Sequence, residues 1–258
     1  MKFADVVAVS ASVAATRSRK EKATLLADLM RRADPDELAV VIGLLTADPR
    51  QGRVGVGWAT VAAADPGRTD ADRSPLTVAE IDDLLTELAH TSGSGSQHRR
   101  EDLLAQALGR AGPDEADFLR RLLLGELRQG ANAGVVTDAA AVAAGVPATL
   151  LRRAVMLSGD LGSAATTART DGREGLEAIG LEVGRPVQPM LATTAHEVGA
   201  AVTELGTASG EWKLDGVRIQ VHRDGDRIGI WTRNLNDVTA RLPETVAQVE
   251  GLDADRLV

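Results

Sequence analysis

The chain has no cysteine and no tyrosine among its 258 residues, and aromatic residues make up only 2% of it. The missing cysteine excludes disulfide bonds, zinc–thiolate sites and a cysteine nucleophile. Hydrophobic residues nevertheless make up 44% of the chain, so its core must be built from Leu, Val, Ile and Ala. This composition favours helix–helix packing over an aromatic-rich β-sandwich.

Signals for metal sites and membranes are also scarce. The four histidines are scattered and match no H-x3-H or H-E-x-x-H pattern, which predicts surface residues rather than metal ligands. The N-terminus has no charged region followed by an apolar one, and no apolar run approaches the roughly 18–20 residues that span a bilayer. We therefore expect a cytoplasmic monomer that has no membrane partner.

Acidic residues outnumber basic ones, 37 against 29, which gives a net charge of −8. Taken alone, this balance argues against nucleic acid as a partner, because phosphate binding needs Lys and Arg. Net charge is an average, however, and a local basic face can bind DNA while acidic residues cover the opposite side. The charge therefore weakens the case for nucleic acid binding without excluding it.

Residues 1–172 have the apolar spacing of helices and predict an all-α domain. Thr77 and Glu80 have the spacing of a capping box that opens one helix, and Ser96 is a candidate N-cap for another. A loop is expected over 47–75, where glycine and proline are frequent. The predicted helices cover about 17–32, 35–45, 78–89, 97–110, 113–127, 132–144, 147–157 and 159–168.

The pattern changes after the helical part, and residues 185–258 predict the start of an α+β domain. Alternating apolar and polar residues over 217–222 predict a strand, Asp224-Gly225 predicts a hairpin turn, and 228–231 predicts the return strand. Short helices are predicted at about 195–205 and 242–249. The expected fold is therefore multidomain α and α+β, with the all-α domain first.

The segment from Glu211 to Arg218, E-W-K-L-D-G-V-R, places Lys213 in an apolar strand directly before an Asp-Gly turn. An ordinary lysine has a pKa of about 10.4, so it is protonated at neutral pH and is not a nucleophile. Burial or a neighbouring positive charge frees the amine, and Trp212 and Leu214 suggest an apolar environment. From the residues alone, a covalent nucleophile and a simple edge-strand lysine both stay open.

A set of motifs, in consistent order, resembles those of ATP-dependent DNA ligases over nearly the whole chain. E-x-K-x-D-G-x-R at 211–218 resembles the nucleotidyl-acceptor motif, and G-R-P-V-Q-P-M-L-A at 184–192 resembles the lead-in to the adenylation domain. T-R-N-L-N-D-V-T at 232–239 resembles a segment whose arginine contacts the nucleotide. G-S-G-S-Q at 93–97 and G-E-L-R-Q-G at 125–130 resemble elements of the ligases' all-helical DNA-binding domain. Within the family, the chain is most similar to actinobacterial ATP-dependent ligases.

The resemblance implies a helical DNA-binding domain over 1–172 and the beginning of a nucleotidyltransferase, or adenylation, domain over 185–258. It implies ATP and Mg²⁺ as cofactors, nicked double-stranded DNA as the partner, and nick sealing through a lysyl-AMP intermediate in replication, repair or recombination. Lys213 would be the catalytic nucleophile. The residues expected to bind the nucleotide are Glu211, Arg218 and Arg233. The residues expected to contact DNA are Ser94, Ser96, Gln97 and Arg128.

Both motifs of the helical part suit phosphate contacts. Gly-Ser turns that open a helix expose backbone N–H groups where the helix dipole favours anions, and such contacts position a protein without reading sequence. Arg128 is expected at a helix C-terminus beside Gly130, where capping by Arg and Gly is the alternative explanation. Arg99 and Arg100 are secondary candidates for phosphate contacts, or else a solvated helix face.

In the family, the segment corresponding to 253–258 is a strand that leads into D-G-E, whose glutamate serves nucleotide or metal binding. Because the chain ends at Val258, we expect a fragment truncated within the adenylation domain that forms negligible lysyl-AMP by itself. An alternative is a non-catalytic DNA-binding protein derived from a ligase. A third interpretation, an RNA ligase or capping enzyme, is the weakest, because those enzymes lack this helical domain.

Overall fold

The structure, a computed structural model, describes residues 1–52, 54–64, 75–189, 194–212 and 215–258. It divides into two compact units. The helical unit comprises Met1–Ala154 and Asp160–Ala178, and the α+β unit comprises Val155–Gly159 and Ile179–Val258. A mostly helical chain that ends in a small sheet agrees with the expected fold class, whereas the domain bounds of 1–172 and 185–258 stay predictions.

Eleven of the described helices lie wholly or mainly in the helical unit. Their bounds are α1 (Phe3–Ala15), α2 (Arg19–Arg32), α3 (Pro35–Thr46), α4 (Trp58–Ala63), α5 (Val78–His90), α6 (Ser96–Arg110), α7 (Pro113–Leu123), α8 (Ala133–Ala144), α9 (Ala148–Ser158), α10 (Leu161–Thr170) and α11 (Gly172–Ala178). No single described helix is both long and apolar enough to cross a membrane; α8 and α9 reach that length and composition only together, as a pair bent by 120°.

The predicted capping box at the start of α5 is confirmed. The Thr77 hydroxyl accepts a hydrogen bond from the Glu80 backbone N–H at 3.2 Å, and the Glu80 carboxylate accepts one from the Thr77 N–H at 2.9 Å. These two bonds satisfy N–H groups that the first turn of a helix otherwise leaves unpaired. The Glu80 carboxylate also pairs with Arg110 at 2.8 Å, which ties α5 to the end of α6.

Three helices of this unit were not predicted, namely α1, α4 and α11. The residue before α1 is Lys2, which gives no side-chain cap, and Gly57 before α4 has no side chain to give. The predicted loop over 47–75 was therefore wrong for the six residues of α4. In addition, α7 ends at Leu123 rather than at 127.

Aliphatic side chains dominate the core of the helical unit, as the composition predicted. Phe3 and Phe118 add one edge-to-face ring contact, with centroids 5.5 Å apart. The alanine-rich helix α8 packs against α2, where small side chains allow close approach. The largest fully buried side chains are Phe3, Leu26, Leu29, Met30, Leu38, Leu44, Leu45, Leu76, Ile81, Leu85, Leu88 and Leu104.

The α+β unit contains a three-stranded antiparallel sheet in the order β2-β1-β3. Its described elements are α12 (Val198–Leu205), β1 (Ile219–Asp224), β2 (Arg227–Thr232), a 3-10 turn (Thr239–Arg241), α13 (Pro243–Glu250) and β3 (Arg256–Leu257). The predicted hairpin is confirmed, and its turn contains Gly225 at φ 61°. The segment before the sheet is held by side chains of β1: Gly184 N–H donates to His222 Nδ1 at 3.0 Å, and Val187 N–H donates to Gln220 Oε1 at 2.9 Å.

Candidate nucleotide site and nucleic-acid interface

Arg218 and Arg233 lie at the same end of the β1–β2 hairpin. Ile219 pairs with Thr232 in the antiparallel register, so Arg218 precedes the first paired residue of one strand and Arg233 follows its partner on the other. Both side chains are exposed. Neither guanidinium makes a hydrogen bond or an ion pair with the described residues. Two unpaired arginine side chains at one end of a hairpin suit an anionic ligand such as a phosphate.

Lys213, the predicted nucleophile, and Leu214 lie outside the described residues. Their neighbour Trp212 is 93% exposed and belongs to no strand, and Glu211 is exposed as well. The prediction of an apolar strand around the lysine was therefore wrong for Glu211 and Trp212, since β1 begins only at Ile219. Sequence apolarity misled here because a tryptophan favours burial only where other elements cover it.

The loop after β2 has an internal hydrogen-bond network that the sequence did not reveal. The Asp237 carboxylate accepts from the Thr239 N–H at 2.8 Å and from the Thr239 hydroxyl at 2.6 Å, which lowers the pKa of Asp237. The same hydroxyl accepts from the Ile230 N–H at 2.9 Å. These bonds fix the loop 233–239 on β2 and thereby fix where Arg233 leaves the hairpin. Asp237 and Thr239 of the D-V-T segment thus have a structural role, which only the structure shows.

The G-S-G-S-Q turn opens α6 without a side-chain cap. Ser96 is the first residue of the helix and Gly95 is the N-cap, so the prediction of Ser96 as N-cap was wrong. Gly95 has φ 79°, a left-handed conformation that glycine adopts without steric cost. Ser94 and Gln97 are exposed, and Gln97 donates to Glu101 at 3.1 Å. The Ser96 N–H donates to Gly93 O at 3.3 Å, but no side chain caps this 15-residue helix, and the remaining N–H groups of its first turn suit an anion.

The two secondary candidates differ from each other. The Arg100 guanidinium donates to the carbonyls of Leu88, at 3.3 Å, and Thr91, so it covers the end of α5. Arg100 thus has a structural role in addition to any phosphate contact, which stays a prediction. Arg99 lies 3.6 Å from Glu87 and is exposed, which leaves it available at the surface.

Arg128 lies in the loop between α7 and α8, not at a helix C-terminus as predicted. The helix ends at Leu123, where Gly125 N–H bonds to Leu122 O at 3.1 Å and Glu126 N–H to Arg121 O at 2.8 Å. This pair of bonds is a Schellman motif, so Arg128 does not cap the helix. Its side chain is exposed and has no hydrogen-bond or salt-bridge partner among the described residues.

Three buried polar residues in and beneath this loop, Ser10, Lys22 and Gln129, were not identified by the sequence analysis. Lys22 Nζ donates to the carbonyls of Gln129, at 3.2 Å, and Gly130, at 3.0 Å. The Gln129 side chain accepts from the Ser10 hydroxyl and donates to the carbonyl of Leu45. The burial of Lys22 has a signal in the sequence. Lys22 precedes Leu26 by four residues, so it lies on the apolar face of α2.

The nucleotide and DNA candidates occur in different units. The structure places Arg218 and Arg233 at the same end of one hairpin, and it places Arg128 in a loop whose backbone Lys22 binds. Among the described residues, no three His, Asp or Glu side chains cluster in a way that suits a metal ion.

Comparisons with known proteins agree with the motifs. Residues 59–141 match the family model described as DNA ligase N terminus, and residues 189–257 match the model described as ATP dependent DNA ligase domain, together more than half of the chain. Proteins named "Probable DNA ligase" are similar along the chain: 49% identical over 256 residues in Saccharopolyspora erythraea, 50% over 260 in Nocardia farcinica and 50% over 258 in Streptomyces griseus. These alignments cover 99–100% of this chain and 49–50% of each relative. The chain therefore spans about half the length of the curated relatives it matches.

Proposed function

The chain belongs to the family of ATP-dependent DNA ligases, and we propose that it supplies the DNA-binding part and the nucleotidyl acceptor of an enzyme that seals nicks in duplex DNA. The observation that carries the nucleotide half of this proposal is the position of Arg218 and Arg233 at one end of the hairpin, directly after the segment that contains Lys213. The setting would be replication, repair or recombination in the cytoplasm, with the enzyme acting as a monomer.

The proposed chemistry begins at Lys213. Its neutral amine attacks the α-phosphate of ATP, forming a phosphoramidate bond to AMP and releasing pyrophosphate. The AMP then passes to the 5′-phosphate at the nick and frees the lysine. Finally, the 3′-hydroxyl attacks that 5′-phosphate and releases AMP as the strand is sealed. Two protein residues assist by charge: Arg218 and Arg233 hold the ribose or the phosphates while the leaving pyrophosphate gains negative charge.

The backbone carbonyl of Glu211 is proposed to flank the adenine. The exposed side chain of Glu211 is compatible with this role. Bound Mg²⁺ would neutralise phosphate charge. The described residues offer no carboxylate cluster for it, so no step is assigned to a protein-held metal.

DNA binding is proposed for the helical unit. The first turn of α6, with Ser94, Ser96 and Gln97, and the exposed Arg128 would contact phosphates of the duplex. Such contacts fix orientation, and selectivity for a nick would come from duplex shape and strand ends rather than base edges. A local basic contact of this kind is compatible with a net charge of −8.

Two measurements on this chain test the proposal. Anisotropy of a labelled nicked duplex, titrated at several salt concentrations, should show binding that weakens with salt, and Arg128→Ala should reduce the salt slope by about one. Incubation with α-labelled ATP and Mg²⁺, followed by denaturation, reports lysyl-AMP, with Lys213→Ala as the control.

We expect nick binding from this chain, and we expect any covalent label to depend on Lys213. A label that Lys213→Ala abolishes would show that the residues present already perform the first step. Absence of both binding and label would contradict the proposal. Binding that is insensitive to Arg128→Ala would contradict the assigned DNA contact while leaving the nucleotide half in place.

A further inference from the structure

The backbone directly after Arg128 is held from below by a buried lysine. Lys22 is only 8% exposed, and its ammonium donates to two consecutive carbonyls, those of Gln129 and Gly130. Within the described residues it has no carboxylate partner. Burying an ammonium without a counter-charge costs free energy, and an apolar side chain of similar size would pack there at no such cost. The lysine must therefore supply something that packing cannot.

Gln129 is held at both ends of its side chain. Its amide oxygen accepts from Ser10 on α1, and its amide nitrogen donates to the carbonyl of Leu45 near the end of α3. Together with Lys22 on α2, three helices thus fix one loop residue. Gly130 completes the fit, because it has φ 69° and a Cβ there would lie 2.7 Å from Lys22 Nζ.

The loop has little other support on one side. A cavity of about 520 Å³ is bordered by α1, α7 and residues 127–129. Without the hydrogen bonds from Lys22 and Gln129, the loop would have room to move into that space. The position of the exposed Arg128 side chain thus depends on polar contacts beneath it rather than on close packing around it.

We infer that Lys22, Gln129 and Ser10 form a loop clamp whose role is to position Arg128 for a DNA phosphate. The inference rests on the proposed function. Lys22 does not touch DNA in this arrangement and is a positioning residue. Its effect must therefore pass through Arg128, which makes it separable from general destabilisation.

The test is a double-mutant cycle in the full chain, measured by anisotropy of a nicked duplex oligonucleotide. Lys22→Met should weaken binding about tenfold, the scale of one lost charge-assisted phosphate contact. In an Arg128→Ala background the same change should weaken binding less than about twofold, because the contact it positions is already gone. Lys20→Met is the matched control: it removes an exposed lysine from the same helix and should change affinity less than about twofold.

Each contrary outcome has a distinct meaning. A wild-type chain that does not bind the nicked duplex overturns the proposed function and the clamp with it. Binding that Arg128→Ala weakens but Lys22→Met does not overturns the clamp alone, as does full additivity of the two changes or an equal loss in Lys20→Met. If Lys22→Met fails to fold, Ser10→Ala replaces it, since it removes a single hydrogen bond of the clamp and must show the same non-additivity with Arg128→Ala.

Discussion

The helical unit and the α+β unit bury their apolar side chains to very different extents. In the described part of the helical unit, whole helix faces are buried, and its strongly exposed large apolar side chains are Trp58 and Val142. In the described part of the α+β unit, the buried apolar side chains are Val155, Leu157, Ile230 and Val249. Its exposed ones are Leu181, Val198, Val202, Leu205, Trp212, Val217, Leu252 and Val258.

This contrast indicates that the two units are stabilised mainly by different interactions. Burial of apolar area stabilises the helical unit at roughly 25 cal/mol per Å². The α+β unit depends instead on hydrogen bonds between side chains and backbone, such as those of Gln220 with Val187 and of Asp237 with Thr239. Such bonds each contribute only about 0.5–1.5 kcal/mol net. The DNA candidates therefore belong to the unit with the larger apolar core, whereas the nucleotide candidates belong to the weakly buried one.

The largest expected effect comes from removing the same side chain in each unit. Leu44→Ala in α3, at a fully buried position, should lower the free energy of unfolding by about 2–5 kcal/mol. Leu205→Ala in α12, at a position 70% exposed, should change it by less than about 0.5 kcal/mol. Urea unfolding followed by circular dichroism measures both. Equal losses would mean that Leu205 is covered in solution and that the contrast between the units is wrong.

A smaller effect is expected at an ion pair on the helical unit. The Asp82 carboxylate accepts from Arg50 Nε at 2.8 Å and from Gln51 Nε2 at 2.7 Å, and these partners, led by Arg50, lower the pKa of Asp82. Asp82→Asn should cost about 1–2 kcal/mol near neutral pH, at the low end for charged partners because Arg50 is largely exposed.

The direction of the pKa shift of Asp82 determines how its contribution to stability changes with pH. Because the pKa of Asp82 is lower in the folded protein, the unfolded chain binds more protons, so this contribution is present above the ordinary value of 3.8 and is lost as the pH falls through the folded value. The stability difference between wild type and Asp82→Asn should therefore shrink below about pH 4. Asp83→Asn, at the exposed neighbouring position, is the control. A difference that does not change with pH would rule out the carboxylate as its source.

The sequence was sufficient where a feature is local. The capping box of Thr77 and Glu80 and the Asp224-Gly225 turn each depend on residues a few positions apart, and both predictions were confirmed. Local signals failed where no side chain marks the boundary: α1 follows Lys2, and α6 follows Gly95 rather than a serine cap. In such places, tertiary packing rather than capping decides where a helix begins.

The candidate site shows the same division. The motifs identified the Arg128 loop and the two hairpin arginines by residue type, because charge and glycine spacing can be read directly. They could not reveal that Lys22 meets Gln129, 107 positions later in the chain, or that Ser10 meets it after 119. Those contacts exist only once α1, α2 and α3 have packed. That Arg218 and Arg233 lie at the same end of the hairpin follows from the strand register of the structure and was not predicted from the sequence.

The smallest effect, and the one most specific to the α+β unit, is expected at His222. Its side chain is buried, its Nδ1 accepts from the Gly184 N–H, and burial lowers its pKa below 6.5. The unfolded histidine binds a proton more readily, so stability of this unit should fall as the pH drops below about 6.5, by at most about 1.4 kcal/mol per pH unit. Hydrogen exchange at the Gly184 amide, corrected for its intrinsic pH dependence, should therefore accelerate between pH 7 and pH 5.5.

His222→Gln keeps an acceptor that does not titrate, so it should flatten that pH dependence, while His196→Gln, at an exposed position of the same unit, should leave it unchanged. The helical unit provides an internal reference in the same experiment. Its shifted carboxyls, Glu80 and Asp82, both have lowered pKa values and add no loss in this pH range. Equal acceleration in both units would show that the decline is global and not due to His222. Acceleration confined to the α+β unit would show that the two units respond to pH through different groups, as their different modes of burial require.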